Sequence, residues 1–309
     1  MPPWSQLLLL LPAWLAMGWL ITKASWFWQH NPDLQFGWIV VLLCAYLFWE
    51  AWEKRPALRP RLTPGSAVVA VSGLGFLFLT QVYQAAYGLT AASMSGLAAG
   101  AMLVVVANLA WLYGTIGVWH FAFAFGFLLV ALPIPSVIYG PLVSGLQSKV
   151  ATVNVEVLKL IGIPAEQVGS LIRLPNCTVG IDEACSGIRS LQSTVMATLF
   201  IGYLTLKHQG VRTVLFVLGI ALAILGNVGR SLFLSLTANA KGTSALEGVH
   251  DTAGWSVLAF TVVGVAGLAW LLHRLETGAA RTSNASPSRK PELPSPDATA
   301  GAPRSSPGA

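Results

Sequence analysis

Charge is what this chain has least of. Only 10% of its 309 residues are Asp, Glu, Lys or Arg, against about 25% in soluble domains. Hydrophobic residues make up 55%, and the mean hydropathy is +0.67. That balance excludes an ordinary soluble enzyme and leaves a polytopic protein whose solvent is the lipid bilayer. The net charge of +6 would suit nucleic acid if the basic residues formed a patch; they are scattered among short loops and a polar tail, so no nucleic-acid partner is expected. Cysteine is scarce too. Three cysteines cannot build a disulfide framework, and no pair has the spacing of a metal site, so neither metal nor cofactor is predicted. Cys44 lies inside an apolar run and reads as a small hydrophobe. No internal repeat is visible. The first apolar run, 6–21, has no Lys or Arg before it and no small-residue cleavage site after it, which predicts an uncleaved helix.

Long apolar runs are abundant instead. A spanning helix needs about 20 mostly apolar residues, and runs at 5–22, 36–52, 65–84, 92–113, 116–133, 185–206, 212–235 and 253–272 predict an all-α membrane protein of about eight spans. Lys54, Arg55, Arg59 and Arg61, then Lys207 and Arg212, then Arg274, Arg281, Arg289 and Lys290 fall on one side of such a chain. By the positive-inside rule that side and both termini are cytoplasmic, which leaves 134–184 and the loop before His250 outside. Within that external segment, Leu142, Leu146, Val150, Val153, Val157 and Leu160 recur at helical spacing and predict an amphipathic helix over 137–161. The β-branched stretch from Val168 to Ile181, broken at Leu174-Pro175-Asn176, predicts a short β-hairpin. Residues 1–275 then form the membrane-embedded domain, and 276–309, rich in Ser, Pro, Ala and Gly, a disordered tail. Gly96 and Gly100 match the small-residue pattern of a close helix contact.

The chemistry-bearing residues lie in three separate places. Asp182-Glu183-Ala184-Cys185-Ser186-Gly187-Ile188-Arg189 puts a thiol and a guanidinium four residues apart at the start of an apolar run, on one face of a helix. Ionisable groups are costly in hydrocarbon and face a cavity, a partner or a substrate path. A buried thiol is the ordinary reading of a membrane cysteine, but a helix start favours the thiolate, and Gly187 would let a substrate backbone approach. Arg189 also fits a residue snorkelling to the interface. Arg230, within Asn227-Val228-Gly229-Arg230, lies about a turn and a half inside an apolar run, with Asn227 able to hydrogen-bond on the same face; pairing with Glu183 purely for packing is its alternative. His250, ahead of the last run, is either structural or a proton-transfer group. Glu50, His120 and Asn108 read as packing contacts. A thiol, cations and an imidazole at one membrane face are what nucleophilic catalysis requires.

The order of these motifs resembles the exosortase/archaeosortase family of multi-spanning cysteine transpeptidases, over about 36–272. The resemblance implies Cys185 as nucleophile, Arg230 as catalytic cation and His250 as third member, with Arg189, Ser186, Gly187 and Asn227 supporting or binding substrate. It further implies the bacterial inner membrane, an active site at the outer face, and exported substrates that end in a Pro-Glu-Pro-like motif, one apolar span and a basic tip. With no fused domain after the last run, it leaves room for a separate accessory protein. Two other readings stay open. One is a carrier for an anionic solute, disfavoured by the lack of an inverted repeat; the other is a thiol-redox protein pairing Cys177 with Cys185, disfavoured by the lack of a C-x-x-C.

Overall fold

The computed structural model describes residues 3–180 and 188–284. Helices α1 (Pro3–Leu9), α2 (Leu11–His30), α3 (Gly37–Glu53), α4 (Pro64–Tyr87) and α5 (Ala91–Gly126) come first, followed by α6 (Ser136–Leu160). Three short strands follow, β1 (Glu166–Val168), β2 (Leu171–Arg173) and β3 (Thr178–Gly180), and then α7 (Ile188–Thr205), α8 (Gln209–Lys241) and α9 (Leu246–Asn284). The chain is thus an all-α polytopic membrane protein with one small sheet.

Five helices among the described residues, not eight, are long and apolar enough to cross a bilayer: Pro32–Glu53, Pro64–Tyr87, Ala91–Ala131, Gln209–Lys241 and Thr252–Gly278. The predicted first run is interrupted at Leu10, just before the proline in the first turn of α2. Lys23, Gln29 and His30 also lower the apolar content of α2. The predicted sixth run is represented by α7, only 18 residues long and rich in Ser and Thr. The fourth and fifth runs are fused into one element, yet that element is not straight. Asn108 Nδ2 donates to the Leu9 carbonyl at 3.2 Å, and the Phe125 ring meets Trp14 at 5.9 Å between centroids. Along a straight helix residues 108 and 125 would stand about 25 Å apart, whereas 9, at the end of α1, and 14, in the first turns of α2, are only five residues apart, about 7 Å at helical rise. The chain therefore folds back between them, at Gly114, whose φ of 70° and ψ of −167° no ordinary helical residue adopts.

Capping and small residues set the first half. Thr63 and Thr90 open α4 and α5 with reciprocal caps to Ser66 and Ser93, so the first amides are satisfied without water. Gly96 and Gly100 do bring two helices close: a Cβ on Gly100 would stand 3.0 Å from the Leu77 backbone nitrogen. Asn108 and His120 serve as packing contacts as expected, the latter with Nε2 at 2.7 Å from the Ala51 carbonyl. Cys44 is half-buried against the same core.

The basic loops gather at one end of the bundle. Arg55 Nε donates to Gln6 at 3.1 Å, and the Arg59 and Arg61 amides donate to the Leu112 and Trp111 carbonyls beside the Gly114 turn. Tyr203, near the end of α7, stacks on Phe123 with centroids 4.0 Å apart, bringing the α7–α8 turn toward that end. There the Glu276 carboxylate accepts the Lys207 and His208 amides. The predicted tail from 276 overlaps the last turns of α9, and its remainder lies outside the described residues.

At the other end lie α6 and the sheet. The helix predicted over 137–161 is Ser136–Leu160, but its buried face is Val143, Val150, Ala151, Asn154, Val155 and Leu158, not the purely apolar stripe expected. Leu160 and Val153, assigned to that stripe, are 86% and 45% exposed. The register differs because a buried hydrogen bond holds Asn154 inward, which hydrophobic periodicity cannot register. The predicted hairpin is present as β2 and β3, with β1 as a third antiparallel strand.

Candidate functional site

The frame of the site is α7, α8 and α9. Leu206, Leu215, Val265 and Ala269 form their shared apolar core toward the basic end. Toward the other end the sheet is locked on α8: Ile172 and Val179 pack in one cluster with Leu234 and Ala238, and Asn176 Nδ2 donates to the Asn239 carbonyl at 3.2 Å. Strand β3 ends at Gly180, and α7 begins at Ile188. Cys185, Ser186 and Gly187, with Asp182 and Glu183, lie outside the described residues between those two points. Arg189 occupies the first turn of α7 and position 250 the second turn of α9.

Arg230 is the best defined of the predicted site residues. It is half-buried in α8, and its guanidinium lies against α9 at Gly254, where a Cβ would stand 3.4 Å from Nη2 and 3.6 Å from Cζ. Position 250 is four residues, one helical turn, before Gly254. Arg230 of the Asn227–Arg230 motif and the turn of α9 that follows position 250, with 20 residues from Arg230 to His250 in sequence, thus meet across the α8–α9 contact. Gly242, at φ 83°, makes the sharp exit from α8 that returns the chain for this meeting.

Beside Arg230 runs a groove of about 570 Å³ between α8 and α9. Its lining is apolar apart from the Arg230 guanidinium and the hydroxyls of Thr252 and Ser256. A guanidinium in such surroundings is a fixed, permanently charged donor, strengthened by low dielectric and suited to a developing oxyanion or a carboxylate.

The opposite face of α8 carries a stripe that sequence reasoning only touched. Asn227, Ser231 and Ser235 follow at intervals of four and are 4%, 4% and 0% exposed. Asn154 Nδ2 of α6 donates to Ser231 Oγ at 2.6 Å, next in sequence to Arg230. Asn227 Nδ2, Ser235 Oγ and Asn154 Oδ1 are buried and meet no hydrogen-bond partner among the described residues. Asn227 is thus turned into the protein while Arg230 lines the groove. The four-residue spacing of polar side chains within an apolar run was the available signal for Ser231; nothing in the sequence pointed to Asn154 or to Gly254. Cys177 carries a free thiol, half-buried beside the cluster that joins the sheet to α8. Among the described residues no group of three or more His, Cys, Asp or Glu comes together as a metal site.

With this geometry in place, the profile of the transmembrane exosortase family (Exosortase_EpsH) matches residues 28–267. The chain belongs to that family. No curated protein matches it, and neither does any solved structure. As an exosortase it has a part in sorting-signal processing, and the match takes in all three sequence motifs, from Cys185 through Arg230 to His250.

Proposed function

We propose that this exosortase is a membrane cysteine transpeptidase that cleaves a C-terminal sorting signal from exported proteins and transfers them to an acceptor at the outer face of the bacterial inner membrane. The observation that carries the reading is the seat of the Arg230 guanidinium against Gly254, one turn from position 250. Two of the three motifs thereby converge from different helices, and the third follows β3 and precedes α7 in the sequence.

The chemistry follows from the residue types. His250 takes the thiol proton of Cys185, and the Sγ thiolate adds to the carbonyl carbon of the scissile peptide. Charge develops on that oxygen, where Arg230 stabilises it. Collapse breaks the C–N bond; the imidazolium returns its proton to the leaving amine, and an acyl thioester remains on Cys185. An acceptor amine, hydroxyl or water then attacks the thioester, giving its proton to His250 as the thiolate departs. Arg189, Ser186 and Gly187 line the approach of the substrate. A separate accessory protein fits this scheme as the holder of the acceptor.

The test is a reporter protein ending in a Pro-Glu-Pro-type motif, one apolar span and a basic tip, expressed with the enzyme in membranes. Cys185→Ser should abolish cleavage and the thioester adduct seen by mass spectrometry, while Cys177→Ser leaves both intact. A membrane-impermeant thiol reagent applied to intact cells should block cleavage by the wild type. An adduct on Cys177, loss of function in both variants, or immunity of whole cells to the reagent would each refute the corresponding part of the mechanism.

A further inference from the structure

Near the basic end of α9 a carboxylate is withdrawn from solvent. The Glu276 side chain is 6% exposed, and a buried charge is costly unless it is paired and hydrogen-bonded. Here it accepts the Lys207 amide at 3.1 Å and the His208 amide at 2.7 Å, and the His208 ring sits on the same oxygen as the latter. One turn earlier on α9, His273 Nδ1 donates to the Thr205 carbonyl at 2.8 Å. Thr205 closes α7 and His208 is the N-cap of α8, so a single turn of α9 satisfies the end of one helix and the start of the next. The His208 side chain does not cap its own helix; the cap comes from α9 instead.

We propose that Glu276 and His273 are positioning residues for the Arg230 site: they fix the height and rotation of α9, and thereby where Arg230 meets it. Their part in turnover rests on the catalytic reading above. From Gly254 to Glu276 is 22 residues, about 33 Å along the helix, so neither residue touches the site. They act through α9, which runs from Leu246 to Asn284 without a proline to absorb a shift.

The kind of contact at each level supports the assignment. Where α9 begins, Leu246, Val249 and Ala253 lie in an apolar cluster with Leu234 and Ala238 of α8, and the Arg230 groove stands open between the two helices beside it. Apolar contact is non-directional and tolerates small shifts along and about an axis. Further along, Leu222 fills the space left by the missing side chain of Gly264, which resists a slip of a whole turn. Hydrogen bonds weaken steeply with distance and angle, so those of His273 and Glu276 set the remaining ångström. A misplacement of about 1 Å can cost about 10²-fold in rate.

Capping alone would make Glu276 a matter of stability, and the two roles can be separated. Glu276→Ala should lower both the unfolding midpoint and kcat for the reporter described above. Adding His208→Asp gives α8 a cap of its own, since residue 208 already has the extended backbone of an N-cap, and restores no bond to α9. The double variant should regain the midpoint yet cleave at least about tenfold more slowly than the wild type, with the loss in kcat rather than KM. Recovery of cleavage together with the midpoint would overturn the assignment. A second readout needs no turnover: spin labels on Phe233→Cys and Ser256→Cys, which face each other across the groove, in a chain carrying Cys44→Ala, Cys177→Ser and Cys185→Ser. Their distance distribution should shift or broaden in the double variant and in His273→Ala. An unchanged distribution would also sink the proposal, and this distance decides the case in which the midpoint does not recover. If the wild type leaves the reporter uncut, the catalytic reading fails, whereas a changed label distance still identifies Glu276 and His273 as what holds α9 at Arg230.

Discussion

The two halves of this chain solve the same problem, packing helices in lipid, in different ways. Residues up to Leu132 share one continuous apolar core, bound by rings: Phe121 is fully buried, with Phe48 at 5.6 Å and Tyr113 at 5.9 Å between centroids. Among the described residues no ring pair joins two residues beyond Phe127. There α8 offers a buried polar stripe on one face and an apolar groove with one guanidinium on another. The first half gains from filled space, because large rigid rings bury area with well-defined geometry. The second half keeps polar atoms and open volume that cost stability, and in a membrane such costs mark function. On the proposed reading, one region is scaffold and the other holds the site.

Emptying the scaffold should give the largest effect. Phe121→Ala leaves a cavity at the centre of the ring cluster and should cost about 3–5 kcal/mol of stability. Thermal unfolding in detergent should show a clearly lowered midpoint, while the protein that remains folded cleaves the reporter at the wild-type rate. Loss of cleavage with unchanged stability would mean that the two regions are not separate in role.

Arg230→Lys should have the opposite signature. A lysine keeps the charge but not the planar fork. Removal of an oxyanion donor typically slows a reaction by about 10²–10³, so kcat should fall by that order with little change in the unfolding midpoint. Full activity in Arg230→Lys would assign the residue to packing and remove the contrast at its centre.

The smallest effect sharpens the boundary between the regions. Asn154 and Ser231 tie α6 to α8 beside Arg230 through a fully buried hydrogen bond. Asn154→Ala should cost about 1–3 kcal/mol, since Ser231 loses a buried partner. A double-mutant cycle with Ser231→Ala, read in both unfolding and cleavage, should show the two costs to be non-additive. Strict additivity would mean that the contact does not couple the helices.

Much of the fold is legible in the residues alone because lipid makes strict demands. The scarcity of charge and the length of the apolar runs require a polytopic helical protein, and helical spacing located α6 to within a residue at each end. The β-branched stretch yielded its hairpin. The order of the three motifs marked the family before any contact was known. Other features escaped for definite reasons. Span counting rests on composition, so it could not foresee that two runs would be one element bent at Gly114, nor that α2 and α7 would be less apolar than a span requires. The face that α6 buries was misjudged because Asn154 is held inward by a partner 77 residues away, and periodicity ranks a residue by its own polarity, not by its partner's.

For the site, the sequence by itself determined which residue types were present and in what order: a thiol and a guanidinium where one apolar run begins, an arginine within another, a histidine ahead of the last. Only the tertiary structure decided that Arg230 turns to Gly254 rather than into the polar stripe, that Asn227 turns away from it, and that a groove opens beside them. The reason is that a residue's neighbours along a helix follow from periodicity, whereas its neighbours across helices depend on where α8 and α9 pack, and that contact is set by the small residues between them.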